Sequence, residues 1–261
     1  MRTPITYYGG KQTMLKHILP LIPPHKIYTE AFCGGAAVLF AKEPSEAEII
    51  NDVNSELVNF YRVAQCHYSE LKMEIDCTLH SRELHNHAAY IYAYPHMFTA
   101  VQRAWAIWTL CKMSYASKLE KSFGYDFHGR VPRRVAHAKE DITTDVCLRL
   151  QQVTIENDNA LNVIHRYDSA NTFHFVDPPY IDTPCGHYRG FFNENDLSHL
   201  LNLLKTVEGK FMLTSYPLDI IKVYAENNNW HIYPIKRTLN ASKTRRRYQE
   251  EWIVCNYDNL T

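Results

Sequence analysis

The 261-residue chain balances 28 Lys+Arg against 28 Asp+Glu, so it has no global polyanion-binding signature, and any nucleic-acid surface has to be local. That length can bury a full core and is large for one domain but small for two, which suits a core with an inserted module. Seven scattered cysteines (Cys33, Cys66, Cys77, Cys111, Cys147, Cys185 and Cys255) without a C-x-x-C pair, a polar N-terminus and the lack of any apolar run near the ~20 residues of a membrane span predict free thiols in a soluble cytoplasmic protein.

Lys26 to Phe32 reads as a strand, Cys33-Gly34-Gly35 as a tight turn, and Ala36 to Ala41 as the start of a helix. Glu48-Ile49-Ile50 is a second strand, ending at Asn51-Asp52. Ser55 to Gln65 then has helical periodicity, with Leu57, Val58, Tyr61 and Ala64 on one face. This order predicts an α/β doubly wound sheet. Over 64–146 strand–helix alternation disappears. Tyr90–Tyr94 and Ala100–Met113 read as helices, and Ser114 to Lys139 as a polar segment, so 64–146 is expected to be a mainly helical insertion dividing a core formed by 1–63 and 147–261. Strands resume at Gln152–Glu156, Phe173–Val176 and Lys210–Thr214, with an amphipathic helix from Glu194 to Val207 carrying Leu197, Leu200, Leu201 and Leu204 on one side. His231–Ile235 and Glu251–Asn256 read as an antiparallel end to the sheet.

Glycines at Gly34-Gly35, between a strand and a helix, let a ligand approach the backbone closely. Asp52, 17 positions after Gly35, stands where an acid in such folds takes ribose hydroxyls, about 20 residues past the turn. The pattern is not G-x-G-x-x-G, which disfavours a dinucleotide and a dehydrogenase. A nucleoside without phosphates fits better, and S-adenosylmethionine is the common one.

Asp177-Pro178-Pro179-Tyr180 follows the apolar run Phe173–Val176. Proline fixes φ and lacks an N–H, so the carbonyls here keep a fixed direction. An exocyclic amine on a nucleobase is a poor nucleophile because its lone pair is delocalised into the ring. Acceptors on its hydrogens, here the Asp177 carboxylate and the Pro178 carbonyl, would localise that pair, and Tyr180 offers a stacking face.

These motifs resemble those of the Dam-type, D12-class DNA adenine-N6 methyltransferases. Tyr7-Tyr8-Gly9-Gly10-Lys11 is similar to the family's N-terminal cofactor motif, Glu30-Ala31-Phe32-Cys33-Gly34-Gly35 with Asn51-Asp52-Val53-Asn54 to its cofactor-binding strands, and Asp177-Pro178-Pro179-Tyr180 to its catalytic motif. The match covers about 5–63 and 150–256, with Ala36 where the family often has another glycine or serine. The resemblance implies a Rossmann-like S-adenosylmethionine-dependent methyltransferase sheet with an inserted target-recognition domain, site-specific transfer to adenine N6 in double-stranded DNA by base flipping, and S-adenosylhomocysteine as product. It places Tyr7, Lys11, Glu30, Phe32, Gly34, Gly35, Asp52, Asp158 and Asp177 around the cofactor, with Lys11 reaching the methionine carboxylate or DNA. A cognate restriction endonuclease is admitted as a partner but not required.

Two basic clusters supply the local charge: Arg130, Arg133, Arg134, His137 and Lys139, and Lys243, Arg245, Arg246 and Arg247. With Lys118 and Lys121, and with Phe123, Tyr125 and Phe127 as a stacking or wedge element, they are the expected DNA contacts. Cys66, His67, Cys77, His80, His85 and His87 fit no zinc template, so no metal is expected. Cytosine N4 and an adenine in RNA present a similar amine and stay open as substrates, as does a non-catalytic DNA-binding relative.

Overall fold

The computed structural model describes residues 1–181, 192–239 and 247–258. In chain order the elements are α1 (Leu15–Ile18), β1 (Ile27–Glu30), α2 (Ala37–Ala41), β2 (Ala47–Asn51), α3 (Ser55–Cys66), α4 (Tyr68–Cys77), α5 (Arg82–Ala93), α6 (Ala100–Met113), α7 (Arg130–Ala138), α8 (Thr144–Gln151), β3 (Val153–Glu156), α9 (Ala160–Arg166), β4 (Thr172–Val176), α10 (Glu194–Leu204), β5 (Lys210–Ser215), α11 (Asp219–Asn228), β6 (His231–Leu239) and β7 (Arg247–Cys255). The strands form one sheet in the order β3-β2-β1-β4-β5-β7-β6. Neighbours from β3 to β5 are parallel, and β7 runs antiparallel between β5 and β6. This is the expected doubly wound, Rossmann-like sheet.

Strand burial explains the layers. β4 is buried along its whole length, as a central parallel strand covered on both faces should be. Side chains alternate between two cores: Phe173, Phe175, Met212 and Ile253 face one, Val176, Phe211, Leu213 and Val254 the other. The second core is closed by α9, α10 and α11, with Leu197, Leu200, Leu201 and Leu204 of α10 pointing inward as their spacing predicts. The first core takes α2 and α3 and continues without a break into α4 to α8, so Leu57 and Phe60 share one apolar cluster with Leu71, Ala88, Trp108 and Val146.

Several boundaries depart from the pattern read in the sequence, β7 among them, which starts at Arg247 rather than Glu251. Ala36 does not begin α2; it sits at φ 49° in the left-handed region, at a position where glycine would be less strained. α5 is longer than Tyr90–Tyr94 because Ser81 caps its start, accepting from the N–H groups of Glu83 and Leu84. α7 lies inside the segment read only as polar; Gly129 at φ 64° precedes it, and Pro132 is tolerated because it falls in the first turn. β6 extends past Pro234 to Leu239, since an edge strand needs no ladder bond from that proline.

Asn54 closes the Asn51–Asn54 motif with a structural task. Its side chain accepts from the N–H groups of Glu56 and Leu57 and caps α3. Asn54→Ala is expected to cost about 1 kcal/mol of stability, read as a lower urea midpoint at unchanged slope.

Candidate functional site

The C-terminal ends of β1 and β4 are neighbours, and β2 and β5 diverge on either side of them. Ligands in open α/β sheets bind in the crevice outside such a switch point. A cleft of about 400 Å³ lies there, lined by Tyr7 to Lys11, Glu30 to Gly35, Asp52, Asn159 to Leu161, Asp177 to Tyr180 and Tyr216, among others. Three motifs separated by most of the chain therefore meet in one place.

The floor is a charged cluster. Lys11, only 4% exposed, puts Nζ 2.7 Å from Asp177 Oδ1, and the Thr214 hydroxyl donates to the same oxygen at 2.6 Å. Lys11 also donates to the Gly9 carbonyl at 3.0 Å and lies 3.6 Å from a Glu251 carboxylate oxygen that is fully buried in β7. Tyr180 donates to that same Glu251 oxygen at 2.5 Å. The Tyr180 ring lies 4.8 Å from Lys11 Nζ and packs edge-on against Tyr216, 4.5 Å between centroids. Burial pushes the Asp177 carboxyl above the ordinary aspartate value, while the Lys11 ammonium and the Thr214 hydroxyl oppose that shift. Among the described residues the contacts of Asp177 fall on Oδ1, so Oδ2 carries its remaining acceptor capacity.

The glycine turn also lines the cleft. Gly34 sits at φ 47°, and a Cβ there would come 3.2 Å from the Tyr7 ring, so turn and ring pack face to face. The Gly34 N–H donates to Asp52 Oδ2 at 3.0 Å, the Asn54 N–H to Oδ1 at 2.9 Å, and Tyr61 donates to the Gly34 carbonyl at 2.7 Å. Burial raises the Asp52 carboxyl, against the pull of those two amides. Each Asp52 oxygen accepts from one of these amides and keeps further lone-pair capacity. A neutral, glycine-lined wall with one oriented carboxylate and an aromatic edge from Phe32 fits a nucleoside bearing ribose hydroxyls, as S-adenosylmethionine does. Phe32 itself is steadied edge-on by Phe192, 6.1 Å between centroids.

Two expected cofactor residues are placed differently from their neighbours. Glu30 lines the cleft, but its Oε2 accepts from the Tyr28 hydroxyl at 2.9 Å and from the Leu39 N–H of α2 at 3.2 Å. Asp158 is not among the lining residues. Its carboxylate accepts from Asn162 and pairs with Arg166 at 2.7 Å, while Asn159, Ala160 and Leu161 face the cleft.

The expected DNA contacts divide in the same way. Arg130, Arg133, Arg134 and Lys121 are exposed, and Lys118 Nζ stands 4.2 Å from the ring centroid of Tyr8. Tyr125 and Phe127 are 62% and 93% exposed, which leaves them accessible. Phe123 is half-buried under the His80 ring, 4.5 Å between centroids, and under Arg82, so it anchors the loop rather than projecting from it. Lys243, Arg245 and Arg246 lie outside the described residues, as does Cys185. Among the described residues no group of three His, Cys, Asp or Glu could hold a metal ion; His80 and His85 bond to the Gly124 carbonyl and to Ser114. No described helix is long and apolar enough to cross a membrane.

Thr214, Tyr216 and Glu251 were missed in the sequence. The first two stand at the C-terminal end of β5, where the switch-point rule alone would have directed attention. Glu251 had a subtler signal, an acid immediately before the apolar run Trp252-Ile253-Val254-Cys255.

Glu30 gives a pH-dependent prediction. Burial drives its carboxyl up to about 8. Between the ordinary glutamate value and about 8, the folded state holds a proton that the unfolded state has lost, so this group makes stability fall as pH rises. Glu30→Gln is expected to remove that slope, at most about 1.4 kcal/mol per pH unit, and to gain on the wild type between about pH 5.5 and about pH 8 in urea titrations. Parallel pH dependences for the two proteins would show that Glu30 is ionised in the fold.

The chain is 27% identical to the type II methyltransferase M1.LlaDCHI of Lactococcus lactis subsp. cremoris, over 96% of this chain and 94% of that protein. It is 23% identical to the modification methylase StsI of Streptococcus sanguinis over its whole length, but spans only 44% of that larger protein. A 64-residue stretch is 38% identical to the DNA N-6-adenine-methyltransferase of Escherichia phage P1, covering 24% of this chain and 8% of that one. A solved Escherichia coli structure, the putative methyltransferase yhhF, overlays with a TM-score of 0.37 at 12% identity, over 94% of this chain and 83% of its own, so the fold assignment stands on the strand order instead. The model of the D12 class N6 adenine-specific DNA methyltransferases matches residues 7–250, and the chain belongs to that family.

Proposed function

We propose that this protein transfers a methyl group from S-adenosylmethionine to N6 of an adenine flipped out of double-stranded DNA, at a site-specific sequence, in the cytoplasm of a bacterium or phage-infected cell. The observation that carries this reading is the Asp177 carboxylate, pinned at Oδ1 by Lys11 and Thr214 in the same cleft as the Gly34-Gly35 turn. When bound, S-adenosylmethionine supplies a methyl group already activated by a sulfonium. Tyr7, Phe32, Gly34, Gly35 and Asp52, which line the cleft, would hold it.

The chain's own residues then make a poor nucleophile competent. Asp177 Oδ2 accepts a hydrogen bond from one N6–H and the Pro178 carbonyl from the other, localising the lone pair on the nitrogen. On gaining the methyl group, N6 releases one proton along the Asp177 hydrogen bond to solvent. Tyr180 stacks on the adenine, its hydroxyl tethered to Glu251 so that the ring cannot swing away. Lys11 keeps Asp177 charged in a buried setting. Pro179 stiffens the segment. Holding amine and methyl donor in line supplies the remaining rate enhancement through orientation.

The inserted segment 64–146 acts as the target-recognition domain. Lys118, Lys121, Arg130, Arg133 and Arg134 contact the backbone, and Tyr125 and Phe127 work at the extruded base's gap. Double-stranded DNA is the partner, and a cognate restriction endonuclease fits the modification methylases among the relatives.

Asp177→Ala is expected to lower transfer by at least about 10²-fold while calorimetric S-adenosylmethionine affinity changes little. Transfer at a near wild-type rate would refute the role of this carboxylate. Identification of the methylated base in digested product DNA separates adenine N6 from cytosine N4. Acidification should switch transfer off as Asp177 takes up a proton, with a midpoint above the ordinary aspartate value. Lys11→Met should push that midpoint higher still, because the ammonium that favours the carboxylate is gone. A pH–rate profile unmoved by this substitution would separate Lys11 from Asp177 ionisation.

A further inference from the structure

A second cleft, of about 510 Å³, lies between the N-terminal segment and α6–α7. Arg2, Lys112, Arg130, Arg133, Arg134 and His137 line it, and Asp141 is the one carboxylate among its lining residues. Most of these cations are surface side chains, but Lys112 is not. It is 5% exposed, donates to the Thr6 hydroxyl at 3.1 Å, and lies 3.7 Å from Asp141 Oδ2. Arg2 reaches the other oxygen of Asp141 at 3.9 Å. A single lining carboxylate is thus shared by two cations; His137 stands 4.0 Å from Glu140, and among the described residues Arg130, Arg133 and Arg134 form no ion pair.

Crowding like charges around one concavity is unfavourable unless an anion enters it. Burial above all, and the nearby Arg134, act against the charged form of Lys112, while Asp141 supports it; an arriving anion would support it further. The presenting helix is fixed: Asp126 accepts from the N–H groups of His128, Arg130 and Val131, and Arg133 is braced on the carbonyls of Gly129 and His128.

The position of this cleft identifies the anion. Thr6 lines it, while Tyr7 to Lys11, the next residues, line the methyl-transfer cleft. Ser117 lines it too, while the adjacent Lys118 covers the Tyr8 ring of the first cleft. Consecutive residues of the chain, 6–7 and 117–118, thus connect the two clefts. We infer that this cleft seats a backbone phosphate of the DNA beside the target nucleotide, with Lys112 as its floor and Arg134 as its rim. The inference rests on the DNA methyltransferase reading and adds to it a residue, Lys112, and a register: clamping one phosphate there fixes which nucleotide stands at the mouth of the neighbouring cleft.

The test uses the full-length protein and a fluorescein-labelled duplex carrying the sequence it methylates in expressing cells. Single uncharged methylphosphonates are placed at successive positions around the target. In the wild type one position should cost about tenfold in affinity, and that cost should vanish in Lys112→Met and in the surface variant Arg134→Ala. Each variant should also lower the slope of log K against log salt by about 1. S-adenosylmethionine affinity by calorimetry and the thermal midpoint of Arg134→Ala should be unchanged, which removes misfolding as an explanation. Wild-type salt slope and methylphosphonate cost in both variants would overturn the inference. So would calorimetric binding of inorganic phosphate abolished by Lys112→Met while duplex affinity is unaffected, the mark of a free-phosphate site. A wild type that binds S-adenosylmethionine but neither binds nor methylates any duplex would overturn the parent reading as well.

Discussion

The Lys11–Asp177 ion pair is the constraint on which the rest of the site depends. It ties the N-terminal segment to the C-terminal end of β4 in a place where neither charge could remain alone. Burial favours the neutral carboxyl, whereas the site needs an acceptor; Lys11 and Thr214 offset that pressure together. The same ammonium lies near Glu251, and Glu251 holds Tyr180. Position, charge state and ring orientation therefore come from one connected cluster rather than from separate devices. Removing one partner of such a cluster leaves an uncompensated charge, which is costlier than never having built it.

How much of this was legible depended on range. Asp177-Pro178-Pro179-Tyr180 was readable because its four residues are contiguous and end an apolar strand, and Gly34-Gly35 because backbone freedom leaves a compositional trace. α10 was readable because four leucines repeat at helical spacing. Lys11 was visible as a residue but not as a buried one: a lysine after two glycines looks solvated until its acid, far along the chain, is brought beside it. Glu251 and Thr214 belong to strands whose register with β4 no local pattern states. Phe123 misled for the complementary reason. Its spacing with Tyr125 and Phe127 suggested one projecting element, but His80 and Arg82, from outside that segment, cover it.

The insertion shows a related limit. Its boundaries were inferred from lost strand–helix alternation, which marks a change of architecture but not a change of core. α3 and the helices that follow it bury their apolar faces in one continuous cluster. A shift of α6 would be felt by both clefts, because Lys112 of α6 floors one and the segment after α6 borders the other. The helices of 64–146 and the elements that carry the first cleft thus share one packed core.

β7 adds a consequence in the dimension of synthesis. It threads between β5 and β6 and carries Glu251, so the last strand of the sheet delivers the acid that fixes Tyr180. While a nascent chain is still being extended, Tyr180 and Lys11 have already emerged but their shared acid has not. The cleft can take its final form only after residue 251 has left the ribosome. A half-made chain, however well its early strands have paired, therefore lacks the acid that Tyr180 and Lys11 share.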